Sequence, residues 1–473
     1  MLFNSFSFLT FFVVVTVLFF ALPHALRWLL LLLASCFFYM CFVPIYILIL
    51  AVTIIIDYVA AICIEDTSDS RKKELFLILS IVSLCVMLFV FKYFNFFNDN
   101  FAVLAAALQW NYPIEALRIA LPIGLSFHTF QSLSYVIEVY RGRQKAERHF
   151  GIYALYVMYF PQLVAGPIER PQNMLHQFHE RKYFDLSRLQ DGLTLALWGL
   201  FKKVVVADSL AIYVDSIFNN SSHHNGATLL LATYCFAFQI YCDFSGYSDI
   251  ARGVSRIYGI ELMKNFDAPY FSTSISEFWT RWHISLSTWF RDYVYIPLGG
   301  NRVSLGRHPF NLMLVFLLSG FWHGANWTFI VWGALHGTYL IVERLWSTAR
   351  EWLGLAANEK AGVIRTGLSM LLVFHLVLVA WVFFRASDVS TAFGIVRRML
   401  IPTGPIFFDP ILVQCVLGVA IVIVADWWTR RTNYWDNLKC YPLSLRFATC
   451  LMMLFGISLL GVEKGSQFIY FQF

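Results

Sequence analysis

The sequence is poor in charged residues. Only 14% of its 473 residues are Asp, Glu, Lys or Arg, whereas a soluble globular domain carries about 25%. Apolar residues make up 59% of the chain, and the mean hydropathy is +0.64. This composition excludes an ordinary soluble enzyme and indicates an integral membrane protein.

A linker rich in Pro, Gly or Ser is also absent, and neither half of the chain repeats the other. We therefore expect one membrane-embedded domain over residues 1–473, with N-terminal helices in 1–140, a core in 150–345 and C-terminal helices in 366–473. The absence of a repeat counts against transporters that are built from two inverted halves.

Apolar runs long enough to cross a hydrocarbon core of about 30 Å recur along the chain. They predict an all-α polytopic protein with about eleven transmembrane helices plus re-entrant or interfacial helices. The candidate segments lie near 3–22, 28–43, 45–63, 75–97, 119–138, 152–168, 192–212, 228–250, 310–322, 326–342, 368–384, 411–428 and 445–462.

The formal net charge of +6 comes from basic residues in short loops beside these segments, not from a nucleic-acid-binding surface. One group is Arg71–Lys73, and another extends from Arg141 to Arg148. Basic loops face the cytoplasm. Two crossings separate the two groups, so both fit one topology with the N-terminus outside the cytoplasm.

Several motifs of soluble enzymes are missing. The chain has no GxSxG nucleophile elbow, no P-loop and no Rossmann glycine pattern. His323 and His336 are thirteen residues apart, no HExxH occurs, and the nine cysteines show no paired spacing. We therefore expect neither a covalent serine mechanism nor a bound metal.

One histidine stands out in FLLSGFWHGANW, residues 316–327. No Lys, Arg, Asp or Glu occurs between His308 and Val342, and ionisable groups at membrane depth are usually functional. Gly320 and Gly324 around His323 permit a helix break or the close approach of another backbone or of a ligand. A neutral imidazole can take a proton from a hydroxyl. The alternative is a core histidine that bonds one neighbour.

A second histidine lies in EFWTRWHISLSTWFRDYVYIPLGGNR, residues 277–302. Its apolar residues recur at helical spacing, which predicts one amphipathic helix ended by Pro297. Glu277 and Arg281 are spaced to pair on it. His283 lies one residue past the apolar stripe, so an interfacial helix whose histidine bonds a neighbour remains the alternative.

Several longer segments resemble the membrane-bound O-acyltransferases, and most closely their bacterial alginate O-acetyltransferase branch. The resemblance covers nearly the whole chain. It is carried by RWHISLSTWFRDYVYIPLGGNR (281–302), LSGFWHGANWTFIVWGALHG (318–337), LPIGLSFHTFQSLSYVIEVYRG (121–142), FPQLVAGPIER (160–170), FKKVVVADSL (201–210), QIYCDFSGYSDIARG (239–253), NFDAPYFSTSISEFW (265–279), WVFFRA (381–386) and the closing FIYFQF.

The resemblance implies a funnel or tunnel through the membrane and transfer of an acyl group from a cytoplasmic donor to a hydroxyl on the far side. It makes His323 the essential catalytic histidine and His283 a second functional one. Further residues expected to meet substrate or line the tunnel are Asn326, Ser287, Asp243, Arg281 and Trp322.

No tightly bound cofactor is expected. The resemblance implies acetyl-CoA or another acyl thioester as donor. It also implies a polysaccharide or a periplasmic acetyltransferase as partner, and the bacterial inner membrane as location. An alginate-like exopolysaccharide is the expected acceptor, while peptidoglycan O-acetylation and D-alanyl transfer toward teichoic acid remain open. GPIERPQNM (166–174) departs from the alginate branch.

Two other classes of function also remain open. A proton-coupled transporter would use the histidines as a relay, and a scaffold would only anchor a secretion machine. Lys202, Lys203 and Arg281 are expected either to meet the phosphates of coenzyme A or to form ion pairs. Asp243 and Asp249 are expected to order the tunnel wall, to hold a histidine tautomer, or to pack helices.

Overall fold

The computed structural model describes residues 1–119, 121–304, 306–353, 362–462 and 467–469. Within these ranges the chain is helical and contains no β-strand, as the apolar runs predict. The last four residues of the closing FIYFQF lie outside the described residues. The chain divides into two compact units, and the expected single domain over the whole chain stays a prediction.

The first unit comprises Met1–Ala196 and Ile250–Met263. Its helices are α1 (Phe6–Ala21), α2 (His24–Met40), α3 (Ile47–Asp66), α4 (Ser70–Leu88), α5 (Phe94–Ala107), α6 (Leu125–Tyr140), α7 (Phe150–Met158), α8 (Pro171–His179) and most of α9 (Leu186–Phe201). A π-helical turn, Phe89–Tyr93, joins α4 to α5.

The second unit comprises Leu197–Asp249 and Lys264–Phe473. Its helices are α10 (Asp208–Phe218), most of α11 (Gly226–Ile257), α12 (Ile275–Arg281), α13 (Ile284–Phe290), α14 (Arg307–His323), α15 (Trp327–Trp352), α16 (Val363–Arg385), α17 (Val389–Met399), α18 (Ile411–Thr432) and α19 (Leu443–Leu460). Two π-helical segments, Lys202–Ala207 and Arg291–Tyr295, extend α9 and α13.

Six helical segments within the described ranges are long and apolar enough to cross a membrane. They are Pro44–Asp66, Ser70–Ala107, Gly226–Ile257, Val363–Arg385, Ile411–Thr432 and Leu443–Leu460. The protein is therefore a multi-pass membrane protein. The expected count of about eleven crossings stays a prediction.

The span predicted near residues 152–168 is wrong. α7 ends at Met158, and residues 160–165 form consecutive turns that lead to a bend at Gly166. Pro161 has no backbone N–H to continue the helix. At Gly166 a Cβ atom would lie 2.3 Å from the Cα of Gln162, so this turn is too tight for any larger side chain.

Candidate functional site

The pair of helices α14 and α15 carries His323. Where the two helices cross, a Cβ on Gly320 would lie 2.2 Å from the carbonyl oxygen of Phe329, and a Cβ on Gly333 would lie 2.3 Å from that of Phe316. Only glycine permits so close an approach of two backbones. The expectation that Gly320 allows this approach is confirmed.

His323 is the last residue of α14, because the helix breaks immediately after it. Gly324 is extended (φ −161°) and caps the helix, and Asn326 caps the start of α15 by accepting a hydrogen bond from the backbone N–H of Thr328 at 3.0 Å. The expected helix break is therefore also confirmed. The break fixes the position of the His323 imidazole where α14 ends and the chain turns into α15.

The ring of His323 is surrounded by aromatic side chains and is only 5% exposed. Its centroid lies 4.9 Å from those of Trp322 and Trp332 and 5.3 Å from that of Phe384. Phe384 belongs to the WVFFRA segment of α16. These walls restrict the motion of the imidazole and keep bulk water away from most of its surface.

The second histidine lies where the sequence predicts a continuous helix, and that prediction is wrong. α12 ends at Arg281 and α13 begins at Ile284, so the apolar stripe does not continue along one helix. His283 lies between them in the left-handed conformation (φ 43°, ψ 55°). This conformation costs a non-glycine residue about 1–2 kcal/mol.

Hydrogen bonds to a neighbouring segment hold His283 in that conformation. The backbone N–H of Ile284 donates to the carbonyl oxygen of Asn265 at 2.9 Å, and that of Asp267 donates to the carbonyl oxygen of Arg281 at 2.9 Å. Because these bonds fix the chain on both sides of His283, they offset its backbone strain. Such strain is typical of functional positions.

The side chain of Asn265 also fixes the tautomer of His283. Asn265 Oδ1 accepts hydrogen bonds from the backbone N–H and the hydroxyl of Ser285 at 3.1 and 2.9 Å, and it lies 3.3 Å from His283 Nδ1. A backbone N–H can only donate, so the atom facing it must be the amide oxygen. His283 Nδ1 is therefore the donor, and Nε2 keeps its lone pair.

His283 is neutral at physiological pH. It is completely buried, and this burial lowers the pKa of its imidazole from 6.5 to about 3. The neutral ring with a lone pair on Nε2 can accept a proton or a hydrogen bond.

A third histidine, His336 on α15, joins the site, although its sequence context gave little indication of a role. Trp279 Nε1–H donates to His336 Nδ1 at 3.3 Å. An indole N–H can only donate. The neutral ring of His336 therefore carries its proton on Nε2, which is the opposite tautomer from that of His283.

Two tryptophans link the three histidines into one assembly. Trp322 lies 6.3 Å from His283 and 4.9 Å from His323, and Trp332 lies 4.9 Å from both His323 and His336, measured between ring centroids. We call these five residues the three-histidine cluster. All five belong to the second unit, and His323 occupies the middle of the cluster.

Of the other predicted site residues, Trp322 joins the cluster and three have different surroundings. Asn326 caps α15 and donates to the carbonyl oxygen of Ser387 at 3.1 Å. Ser287 donates to the carbonyl oxygen of Trp282 at 3.2 Å. Arg281 forms ion pairs with Glu277 at 2.9 Å and Asp267 at 3.1 Å. The expected Glu277–Arg281 pair is confirmed.

Asp243 belongs to a buried ion-pair cluster in the same unit. Lys203 Nζ lies 2.6 Å from Asp243 and 2.8 Å from Asp208, and Lys202 Nζ lies 2.7 Å from Asp249. Asp243 also accepts from the backbone N–H of Ile469 at 2.8 Å. Both lysines are buried, so the ion-pair interpretation is confirmed. Contact of these lysines with coenzyme A phosphates stays a prediction.

A cavity of about 410 Å³ lies beside the three-histidine cluster. Trp279, which donates to His336, forms part of its wall, and so does Ser319, one turn before His323 on α14. Ser287 and Arg291 add polar groups to a mostly apolar lining. His323 itself is not among the lining residues. The cavity is large enough for part of a small substrate.

The comparisons with known proteins agree with this geometry. The profile of the membrane-bound O-acyltransferase family matches residues 148–384, which include the whole three-histidine cluster. The chain belongs to this family, and it is therefore an acyltransferase.

Individual relatives carry three different names. The chain is similar to a peptidoglycan O-acetyltransferase of Helicobacter pylori (33% identity, 94% of this chain and 91% of the relative). It is also similar to a probable alginate O-acetylase of Azotobacter vinelandii (40%, 81% and 69%) and to a teichoic acid D-alanyltransferase of Streptococcus thermophilus (30%, 51% and 61%).

Proposed function

We propose that this protein is an inner-membrane O-acetyltransferase. It moves an acetyl group from a cytoplasmic donor across the membrane, for O-acetylation of a cell-surface or secreted polysaccharide of the alginate type. The observation that carries the proposal is the three-histidine cluster, which lies within the family-matched region. The names of the alginate-type relatives support the acceptor class.

In the proposed reaction His323 is the general base. It takes the proton of the acceptor hydroxyl while the hydroxyl oxygen attacks the thioester carbonyl. The C–S bond then breaks, and protonated His323 gives its proton to the departing thiolate. General base catalysis contributes about 10²- to 10⁴-fold to the rate. Transfer through an acyl-histidine is a variant of the same scheme.

The proposed donor is acetyl-CoA or another acyl thioester on the cytoplasmic side. The cavity beside the cluster supports this choice, because its apolar walls suit an extended thioester arm. Arg291 at the cavity has a half-exposed guanidinium group that lies 2.8 Å from Asp292. The donor would be aligned there with a hydroxyl near His323, and such alignment lowers the barrier.

Three finer features belong to this proposal. About eleven crossings with the N-terminus outside the cytoplasm would place Arg71–Lys73 and Arg141–Arg148 on the cytoplasmic side. A funnel or tunnel would connect the donor with the acceptor. A periplasmic acetyltransferase or the polysaccharide itself would receive the acetyl group.

Peptidoglycan is the second candidate acceptor, and one observation favours it. The Helicobacter pylori peptidoglycan O-acetyltransferase is matched over 91% of its length, whereas the Azotobacter vinelandii alginate relative is matched over 69%. The more complete match favours peptidoglycan, while the higher identity of the alginate relative favours the first candidate.

Mass spectrometry of surface polymers from a deletion strain distinguishes the two acceptors. Loss of acetyl esters from an exopolysaccharide, restored by the wild-type gene, is the expected result. Loss of esters from peptidoglycan alone would replace the first candidate by the second. Unchanged ester content in both polymers would contradict the proposal.

A further inference from the structure

A large apolar groove in the second unit shares no lining residue with the cavity beside the three-histidine cluster. It has a volume of about 680 Å³ and lies between α18 and α19, with Trp198 and Phe201 at its base. Residues of α18 at helical spacing form one wall, among them Leu417, Ala420 and Val424. The groove therefore follows α18 for more than three turns.

Both helices of the groove are candidate membrane spans, and most of their surface is exposed. The lining contains few polar groups, of which Thr429 and Thr449 lie near one end. In a bilayer such a groove opens to hydrocarbon. An open apolar volume of this size does not stay empty beside acyl chains, because filling it adds dispersion contacts.

One end of the groove lies at the level of the membrane surface. Trp427, Trp428, Tyr434 and Trp435 cluster at the C-terminal end of α18 and the turn that follows. Trp and Tyr are enriched at the membrane–water interface. The 22 residues of α18 span about 33 Å, close to the hydrocarbon thickness, which agrees with this placement.

The same end of the groove is closed. The hydroxyl groups of Tyr434 and Thr449 are hydrogen-bonded at 3.0 Å, and the rings of Trp198 and Trp435 stack with centroids 4.9 Å apart. An acyl chain can enter sideways from the bilayer and end below the closure.

Basic side chains surround the closed end. Arg430 and Arg431 lie in the last turn of α18, and Arg446 lies in the first part of α19. The guanidinium group of Arg431 lies 4.1 Å from the centre of a Trp427 ring. The guanidinium group of Arg430 instead donates to the carbonyl oxygen of Phe271 at 3.3 Å, away from the groove.

Of the acids on this stretch, Asp426 accepts from Tyr241 at 2.8 Å and Asp436 lies 3.6 Å from Lys264. Arg431 shares the helical face of Val424 and Trp428, which line the groove, so its charge favours an anionic headgroup there.

We propose that the groove between α18 and α19 binds one phospholipid with an anionic headgroup. Its acyl chain fills the apolar groove, and its phosphate lies beside Arg431. This site is separate from the three-histidine cluster, so the proposal does not depend on the acceptor polymer or on the acetyl donor.

Native mass spectrometry of the whole protein in detergent tests this proposal, with phosphatidylglycerol and phosphatidylcholine as probes. The wild-type protein should retain one phosphatidylglycerol in preference to phosphatidylcholine. Ala420→Trp and Val424→Trp fill the groove and should each weaken retention about tenfold. Val416→Trp is the matched control, because Val416 is exposed on α18 but does not line the groove.

A charge variant tests the headgroup separately. Arg431→Gln should reduce the preference for phosphatidylglycerol about fivefold, at about 1 kcal/mol for one basic residue. Arg430→Gln is the matched control and should leave the preference unchanged, because Arg430 contacts Phe271 instead. Equal retention of phosphatidylglycerol by the wild-type, Ala420→Trp and Val424→Trp proteins would overturn the proposal. Finding a co-purified membrane protein in the groove, displaced by Ala420→Trp, would overturn it as well.

Discussion

Two helix pairs of the second unit pack in opposite ways, one tightly and one with a groove between its helices. α14 and α15 approach through Gly320 and Gly333 until their backbones touch. α18 and α19 leave a groove of about 680 Å³ between them and rest on a third element, the π-helical segment Lys202–Ala207. The first pair holds His323 in a tightly packed turn, and the second leaves an exposed apolar surface.

Contacts with the π-helical segment show how the second pair is held. A Cβ on Gly418 of α18 would lie 3.2 Å from a side-chain carbon of Val206, and the backbone N–H of Val462, just past α19, donates to the carbonyl oxygen of Val204 at 3.4 Å. Lys203, buried between Asp208 and Asp243, anchors the same segment. We therefore expect different substitutions to disrupt the two helix pairs.

The largest expected effect on stability is that of Lys203→Met. It leaves two buried carboxylates without their shared cation, and breaking a buried ion pair from one side costs about 3–5 kcal/mol. We expect a strong loss of detergent-solubilised folded protein on heating. Lys72→Met, the same change at an exposed position of α4, serves as a control and should cost much less. Equal melting of Lys203→Met and the wild type would contradict the anchoring role.

Asn265→Leu should reduce activity about 10- to 100-fold, the usual effect of removing a residue that orients a functional imidazole. The variant leaves His283 without the acceptor that fixes its tautomer. Asn265→Asp keeps an acceptor oxygen and should recover part of the activity, with a changed pH profile because the new carboxylate favours protonated His283. Acetylation assays across pH measure both variants.

A purely structural role for Asn265 would give a different result. Both variants would then lose activity in proportion to the amount of folded protein, and the pH profile would stay unchanged. That outcome would contradict the tautomer assignment of His283.

The smallest expected effect is a difference in stability between two variants, each with alanine in place of one glycine of a helix pair. Gly320→Ala places a Cβ against a backbone oxygen and should cost about 1–3 kcal/mol by overpacking. Gly418→Ala meets only a side chain at 3.2 Å and should cost less, because alanine also has the higher helix propensity. Thermal melting in detergent measures the difference. Equal costs would contradict the contrast between the tight and the open pair.

Most of the long apolar helices could be predicted from the sequence. The segments predicted near 45–63, 368–384, 411–428 and 445–462 correspond closely to α3, α16, α18 and α19. This is because a run of apolar residues without breaks determines such a helix locally. The roles of Gly320 and Gly324 could also be predicted, because glycine beside a buried histidine indicates a helix break or the close approach of another backbone.

The site itself depends on contacts that the sequence does not display. The break at His283 arises from Asn265, eighteen residues earlier, and no local pattern predicts a left-handed histidine in an apparently regular amphipathic helix. His336 belongs to the site because Trp279 of α12 and Trp332 of α15 pack against it. The lysines of FKKVVVAD could have faced solvent, and only the tertiary structure surrounds them with carboxylates.

The central claim is that His323 carries out acyl transfer. The most direct test is the acetyl-ester content of the surface polymer in cells that express His323→Ala at the same membrane abundance as the wild type. His375→Ala, which changes an exposed histidine outside the cluster, is the matched control. We predict that His323→Ala lowers the ester content about 100-fold or more and that His375→Ala leaves it unchanged. Wild-type ester content in His323→Ala cells would contradict the account.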